Sequence, residues 1–134
     1  MTFGFLESTL DTRSADGRND VLLSELHFRD DDGTLYKVPV FAETNGGDIP
    51  WFAQIIPGFQ PIGDHWKSWV LHDSAYRGTL MVSRGGQYFS ANLTRYESDS
   101  LLTRALKKQG MGTIRRNTVF ASVQAGGWRH YRKP

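Results

Sequence analysis

The residues best suited to chemistry lie in one short run, Leu71-His72-Asp73-Ser74-Ala75-Tyr76. On a helix, neighbouring side chains diverge by about 100°, so His72 and Asp73 address different surroundings rather than each other. His72 could activate a water molecule, and Asp73 could bind a cation or anchor a loop. Tyr76, four residues after His72 and three after Asp73, is placed to support either. Asp73 is the only carboxylate between Asp64 and Glu97. The next acid on an apolar stripe, Asp99, reaches His72 only if two separate helices pack together. A plainer role is open to the same residues, because an Asp on a packed face can simply tie down backbone donors or a tyrosine hydroxyl. His27 reads as a strand residue and His130 as part of a basic tail, and His65 stands outside the run.

Positioning these groups requires helices, and the pattern supplies three. The first covers 64–77, with Asp64 as N-cap and Gly78 as the stop. Trp66, Trp69, Val70, Asp73 and Tyr76 fall on one stripe of it, which puts a carboxylate in the middle of an aromatic face. A second helix runs from Ser98 to Gly110, where Asp99, Leu102 and Leu106 share a face and Lys107 and Lys108 suit the negative end of the dipole. A third spans 113–124, with Arg116, Val119, Phe120 and Val123 aligned, before Gly126-Gly127.

Ahead of the helices the period changes to two. Residues 21–28 alternate, with Leu22, Ser24, Leu26 and Phe28 on one side, as a half-buried strand does. Asp30-Asp31-Asp32-Gly33 supplies turn chemistry, and a return strand follows over 35–41 with Tyr36, Val38 and Val40 on one face. Pro39 removes a ladder donor, which places that strand at an edge. The polar stretch before Asp20 reads as a loose arm or irregular edge. Residues 44–64 hold three of the five prolines and form a long loop with Trp51, Phe52, Ile55, Ile56 and Phe59 to pack. Residues 79–94 form a glycine-turned hairpin around Gly85-Gly86. The expected fold is therefore α+β: an N-terminal β-hairpin and a Pro/Gly-rich loop packed on a three-helix core. It is read as a single domain over 1–134, with residues 44–131 bearing the motifs.

Composition bounds the chemistry. The chain has 134 residues and no Cys, which excludes a disulfide scaffold, a thiol nucleophile and thiolate-ligated zinc. No apolar run approaches the ~18 residues of a membrane span, and Met1-Thr2-Phe3-Gly4 lacks the basic start of a secretion signal. The net charge of +2 conceals an asymmetry. Residues 1–64 carry 11 acids and 4 bases, whereas residues 65–134 carry 3 acids and 12 bases. Either the halves neutralise each other or the basic half faces an anionic partner. Arg104, Lys107, Lys108, Arg115, Arg116, Arg129, Arg132 and Lys133 could meet anionic phospholipid of a bacterial envelope. With Trp128 and Tyr131 they could equally meet nucleic acid, although no base-reading signature is present.

Four motifs in order carry a resemblance. They are Thr44-Asn45-Gly46-Gly47-Asp48-Ile49-Pro50, the His72-Asp73-Ser74-Ala75-Tyr76 run, Ser98-Asp99 followed by Arg104-Ala105-Leu106, and Gly127-Trp128-Arg129-His130-Tyr131. Their order and spacing resemble a phage and prophage family, domain of unknown function 1353, with Asn45 and Asp48 standing where that family usually has Asp and Ser. The same core resembles the phospholipase A2 domain of parvovirus capsids, through Pro57-Gly58-Phe59 with Gly63, the His-Asp-x-x-Tyr run, Asp99, and Val119-Phe120-Ala121 after Arg115-Arg116. The second resemblance implies that His72 is the general base, Asp99 orients it and Tyr76 supports it. It also implies that Asp73 shares a Ca²⁺ with loop carbonyls, here those of Gly58 and Gly63.

The resemblances imply a phage or prophage hydrolase acting on phospholipid in the host cytoplasm or from the virion. The alternative they leave is a non-enzymatic tail, neck or assembly component in contact with other particle proteins.

Overall fold

The computed structural model describes residues 2–8, 10, 12–14, 20–44 and 66–126. The Pro/Gly-rich loop, the Asp64 cap, His65, Gly58, Gly63 and the motif at 127–131 lie outside the described residues.

Among the described residues, eight strands and three helices follow one another as β1 (Gly4–Phe5), β2 (Thr12–Ser14), β3 (Asp20–Leu22), β4 (Leu26–Arg29), β5 (Leu35–Val38), β6 (Glu43–Thr44), α1 (Trp66–Arg77), β7 (Met81–Arg84), β8 (Gln87–Ser90), α2 (Arg95–Lys108) and α3 (Thr113–Gly126). A five-stranded antiparallel sheet has the order β1-β4-β5-β7-β8, and a three-stranded one the order β2-β3-β6. The fold class is thus α+β, as the two periodicities imply.

The alternation over 21–28 is real on its buried side, since Leu22, Leu26 and Phe28 are fully enclosed. Continuity of the strand is not. A bend at Leu23-Ser24 sends Leu22 into the small sheet and Leu26 into the large one. Pro39 also acts differently from the expectation. β5 stops at Val38, so the missing N–H falls outside the ladder and the strand sits between β4 and β7 rather than at an edge. Beyond it, Phe41 takes the second central position of a turn closed by Ala42 N–H to Pro39 C=O (3.2 Å), with φ of 66° and its ring exposed.

Of the two readings of the opening stretch, its described residues fit the irregular edge, since β1 pairs with β4 at the edge of the large sheet. Glu7 accepts from the His27 backbone N–H at 2.6 Å and meets its Nδ1 at 2.8 Å. Lys67 on α1 donates to the Glu7 carbonyl at 2.7 Å. Asp30, at the start of the Asp-rich turn, is buried and accepts from Arg104 Nε with both oxygens, at 2.9 and 3.0 Å. That pair ties the β4–β5 hairpin to α2.

Two apolar clusters hold the layers. The first joins Leu22, Leu26, Phe28 and Val38 to Val70, Leu71 and Ala75 of α1 and to Leu101 and Ala105 of α2. The second, wholly helical apart from Met111, gathers Trp69, Leu102, Leu106, Val119 and Val123. Each fully buried Leu contributes about 1.5–3 kcal/mol relative to exposure. Because α2 feeds both clusters from adjacent rows, its Asp99 lies at the seam between them.

Helix ends follow local chemistry. α1 stops at Gly78, whose φ of +79° favours glycine. There Gly78 N–H meets Ala75 C=O at 3.3 Å and Thr79 N–H meets Ser74 C=O at 3.0 Å. Gly110 (φ +91°) ends α2 in the same way, and Met111 then turns into the helical cluster. The start of α2 lies three residues earlier than Ser98. Thr94 caps it, with Glu97 N–H donating to the Thr94 hydroxyl at 3.1 Å and Thr94 N–H to the Glu97 carboxylate at 3.0 Å.

Replacing Thr94 with Ala removes that reciprocal cap. The expected cost is about 1 kcal/mol in chemical denaturation, with the slope on denaturant unchanged.

Candidate functional site

α1 and α2 bring together the two groups that the sequence separates by 27 positions. His72 Nε2 lies 2.7 Å from Asp99 Oδ1. Tyr76 OH donates to the same oxygen at 2.6 Å, and Gln124 Nε2 from α3 donates to Oδ2. The carboxylate is completely buried and His72 is only 5% exposed. A buried carboxylate is costly unless its lone pairs are filled, and here donors from α1 and α3 converge on a single acid from α2. The imidazole is walled by Trp69, edge-on with centroids 5.6 Å apart, and by the Tyr76 ring at 4.2 Å.

Opposite a carboxylate, Nε2 is the ring nitrogen that donates. In a neutral imidazole that donates through Nε2, the lone pair belongs to Nδ1. Nδ1 takes no hydrogen bond among the described residues. A ring held by a carboxylate on one nitrogen, with the other left to accept a proton, has the geometry that a general base and its orienter require.

Asp73 stands apart. Its Oδ2 pairs with Arg77 Nε at 3.0 Å, one turn along α1, and its side chain is partly exposed. The buried face of α1 carries His72 with Trp69, Val70 and Tyr76, and the carboxylate expected there lies at its margin. Among the described residues no group of three His, Asp or Glu side chains could hold a metal ion. Ca²⁺ takes six to eight oxygens, and one carboxylate already paired with a guanidinium does not meet that demand. The described residues therefore do not fit the cation, and Gly58 and Gly63, whose carbonyls would complete the set, lie outside them.

Gln124 was not expected at the site. It follows the inward-facing Val123 near the end of α3, and nothing in its spacing marks it. Its place is secured by Arg95, which donates to the carbonyls of Gln124 at 2.8 Å and Val123 at 3.4 Å. Ser68 of α1 and Gln109, just past α2, are joined by a further side-chain hydrogen bond that ties the two helices at the end of α2 away from Asp99.

The chain belongs to the family described as Protein of unknown function (DUF1353), whose family model matches residues 21–123. The match begins in β3 and ends at Val123, so it includes His72, Asp73, Tyr76 and Asp99. It omits the Gly127–Tyr131 motif and takes in the hairpin ahead of Thr44. No curated protein and no solved structure matches the chain.

Burial, followed by the bond to Asp99 and the charge of that carboxylate, pushes the Tyr76 hydroxyl well above its ordinary value of 10.0. The phenol thus stays a donor in the fold when unfolded tyrosines ionise. Its contribution is complete below about pH 10 and is lost as pH rises from there toward the folded value. Tyr76→Phe should lower stability by about 1–3 kcal/mol at neutral pH. The gap from wild type should narrow in thermal melts taken at rising pH above about 10.

Proposed function

We propose that the protein is a hydrolase of carboxylic esters in which His72 is the general base and Asp99 its orienter. The supporting observation is the bond from His72 Nε2 to an Asp supplied by a different helix, which leaves Nδ1 to take a proton. Nδ1 removes a proton from water as the oxygen attacks the ester carbonyl carbon. Asp99 stabilises the resulting imidazolium through Nε2–H. When the tetrahedral adduct collapses, the carbon–oxygen bond to the alcohol breaks and the imidazolium returns its proton to the leaving oxygen. Tyr76 and Gln124 touch no substrate in this scheme. They hold Asp99 in place. No step is routed through a metal, because the described donors do not fit one.

Phospholipid is the substrate class that the phospholipase-A2-like order of His72, Asp73, Tyr76 and Asp99 favours, and a phage or prophage setting rests on the family resemblance alone. A second reading, a non-enzymatic particle or assembly component, is favoured by one specific observation. The imidazole and carboxylate are almost wholly enclosed and join all three helices, as a purely structural tie would be.

Turnover separates the two. Fatty-acid release from phosphatidylglycerol vesicles should fall about 10²–10⁴-fold in His72→Gln. Asp99→Asn should also be impaired, and the double variant should be no worse than His72→Gln, because the pair acts as one unit. The melting temperature of His72→Gln should stay near that of wild type, because the glutamine amide can still donate to Asp99. A large drop in melting temperature, with no turnover in the parent protein, would identify the structural tie instead.

A further inference from the structure

The large sheet ends differently on its two sides. At one edge, β1 is two residues long and contains Gly4, whose φ of 85° is far from strand geometry. So short an edge offers little to pair with. At the other, β8 runs through Gln87-Tyr88-Phe89-Ser90 with no charge and no proline, and its register to β7 has no bulge. Those are the devices that ordinarily keep an edge strand from pairing further, and β8 carries none of them.

The hairpin decides which main-chain groups of β8 face outward. Gly85 and Gly86 have φ of 59° and 81°, as a two-residue type I′ turn requires, and the strands then alternate strictly. Ala91 N–H bonds to Leu80 C=O at 2.9 Å, so Phe89 and Gln87, at steps of two, also turn inward to β7. Tyr88 and Ser90 therefore direct their N–H and C=O groups off the sheet, and among the described residues those groups take no partner. Side chains alternate with them. A cross-strand row of Phe5, Phe28, Tyr36, Val82 and Phe89 spans the helix-packed face. Phe28 is enclosed and Val82 only 6% exposed, but Phe89 is 50% exposed because the row stops there.

We infer that β8 pairs antiparallel with β8 of a second copy, about a two-fold axis at Phe89. In that register Tyr88 of each chain faces Ser90 of the other and exchanges both N–H···O=C bonds, which uses every unmet group on the edge. Phe89 faces its own twin in the non-hydrogen-bonded position between them. There Cα atoms approach to about 4.5 Å and side chains meet, so the apolar row continues into the second sheet. On the other face a large side chain, Tyr88, stands against a small one, Ser90, and Lys37 braces the tyrosine ring from 4.0 Å above it. A two-fold contact requires a surface complementary to itself, and the order Tyr-Phe-Ser on an uncharged edge meets that requirement. A foreign strand would fill the same main-chain groups without supplying the ring opposite Phe89. The contact is small, so association should depend on concentration.

Sedimentation velocity of the full-length protein at rising concentration should show the mass climbing from 15.2 kDa toward twice that value. Ser90→Pro deletes an outward N–H that the hairpin does not use, and Phe89→Lys sets like charges against each other on the axis. Each should weaken association about tenfold or more, with the circular dichroism of dilute protein unchanged. Mixing Phe89→Lys with Phe89→Glu should restore a dimer that neither forms alone. The chain has no Cys, so Phe89→Cys introduces a single thiol. Mild oxidation should join two such chains, because Cα atoms at that position lie within disulfide reach. Ile114→Cys, 83% exposed on α3, should crosslink far more slowly. The inference is overturned if the protein stays monomeric at every concentration, if the dimer survives both edge variants, or if the two thiols crosslink at equal rates. A monomer that instead takes up a synthetic peptide of alternating Thr and Val would assign the edge to a foreign strand, which also overturns it.

Discussion

A carboxylate removed from water sets the terms for this fold. Asp99 is fully enclosed, and in such surroundings an ionised acid persists only where donors replace its hydration. His72 and Tyr76 come to it from α1 and Gln124 from α3, so none of the three helices can shift alone without stranding a buried charge. Removing one partner from such a site costs more than the net worth of the bond. The helix core is thus specified by polar geometry as much as by Leu102, Leu106, Val119 and Val123 around it.

The surrounding bonds serve that arrangement at longer range. Arg95 holds the end of α3 that bears Gln124, and Arg104 fastens α2 to the buried Asp30 of the hairpin turn. Together they connect the sheet, the helix carrying the acid and the helix carrying its third donor. The family match from β3 to Val123 takes in the strands and helices together. His72, Tyr76 and Asp99 fall within that segment with most of their scaffold, and Gln124 lies one residue past its end. An esterase and a structural tie would need the same contacts around Asp99; they differ in what reaches Nδ1.

Much of this was legible in the residues themselves. Period-two alternation at Leu22, Leu26 and Phe28 and helical spacing around Trp69, Leu102 and Val119 gave the fold class, because burial imposes those periods directly. His72, Tyr76 and Asp99 were legible as candidates because their types and spacing allow few other contacts between two packed helices. Three features were not. The bend at Leu23-Ser24 leaves the alternation intact, so the change of sheet has no signature in it. Pro39 reads the same inside a strand or one residue past it, and only the partner strand decides. Gln124 owes its role to a neighbour 25 positions away, and no local pattern encodes that. Asp73 was misplaced for a related reason: a stripe wide enough to include it also reaches the helix margin, where Arg77 takes it.

The pairing of β5 with β7 has a further consequence. Tyr36 lies opposite Val82, so the two strands meet only after the chain has gone out and returned through α1. Closing so wide an excursion is entropically unfavourable until the contacts it brings are made, and pairings distant in sequence slow folding for that reason. The large sheet and the helix bearing His72 are therefore coupled in time as well as in space. The penalty grows only with the logarithm of length, so insertions within that excursion would change stability little.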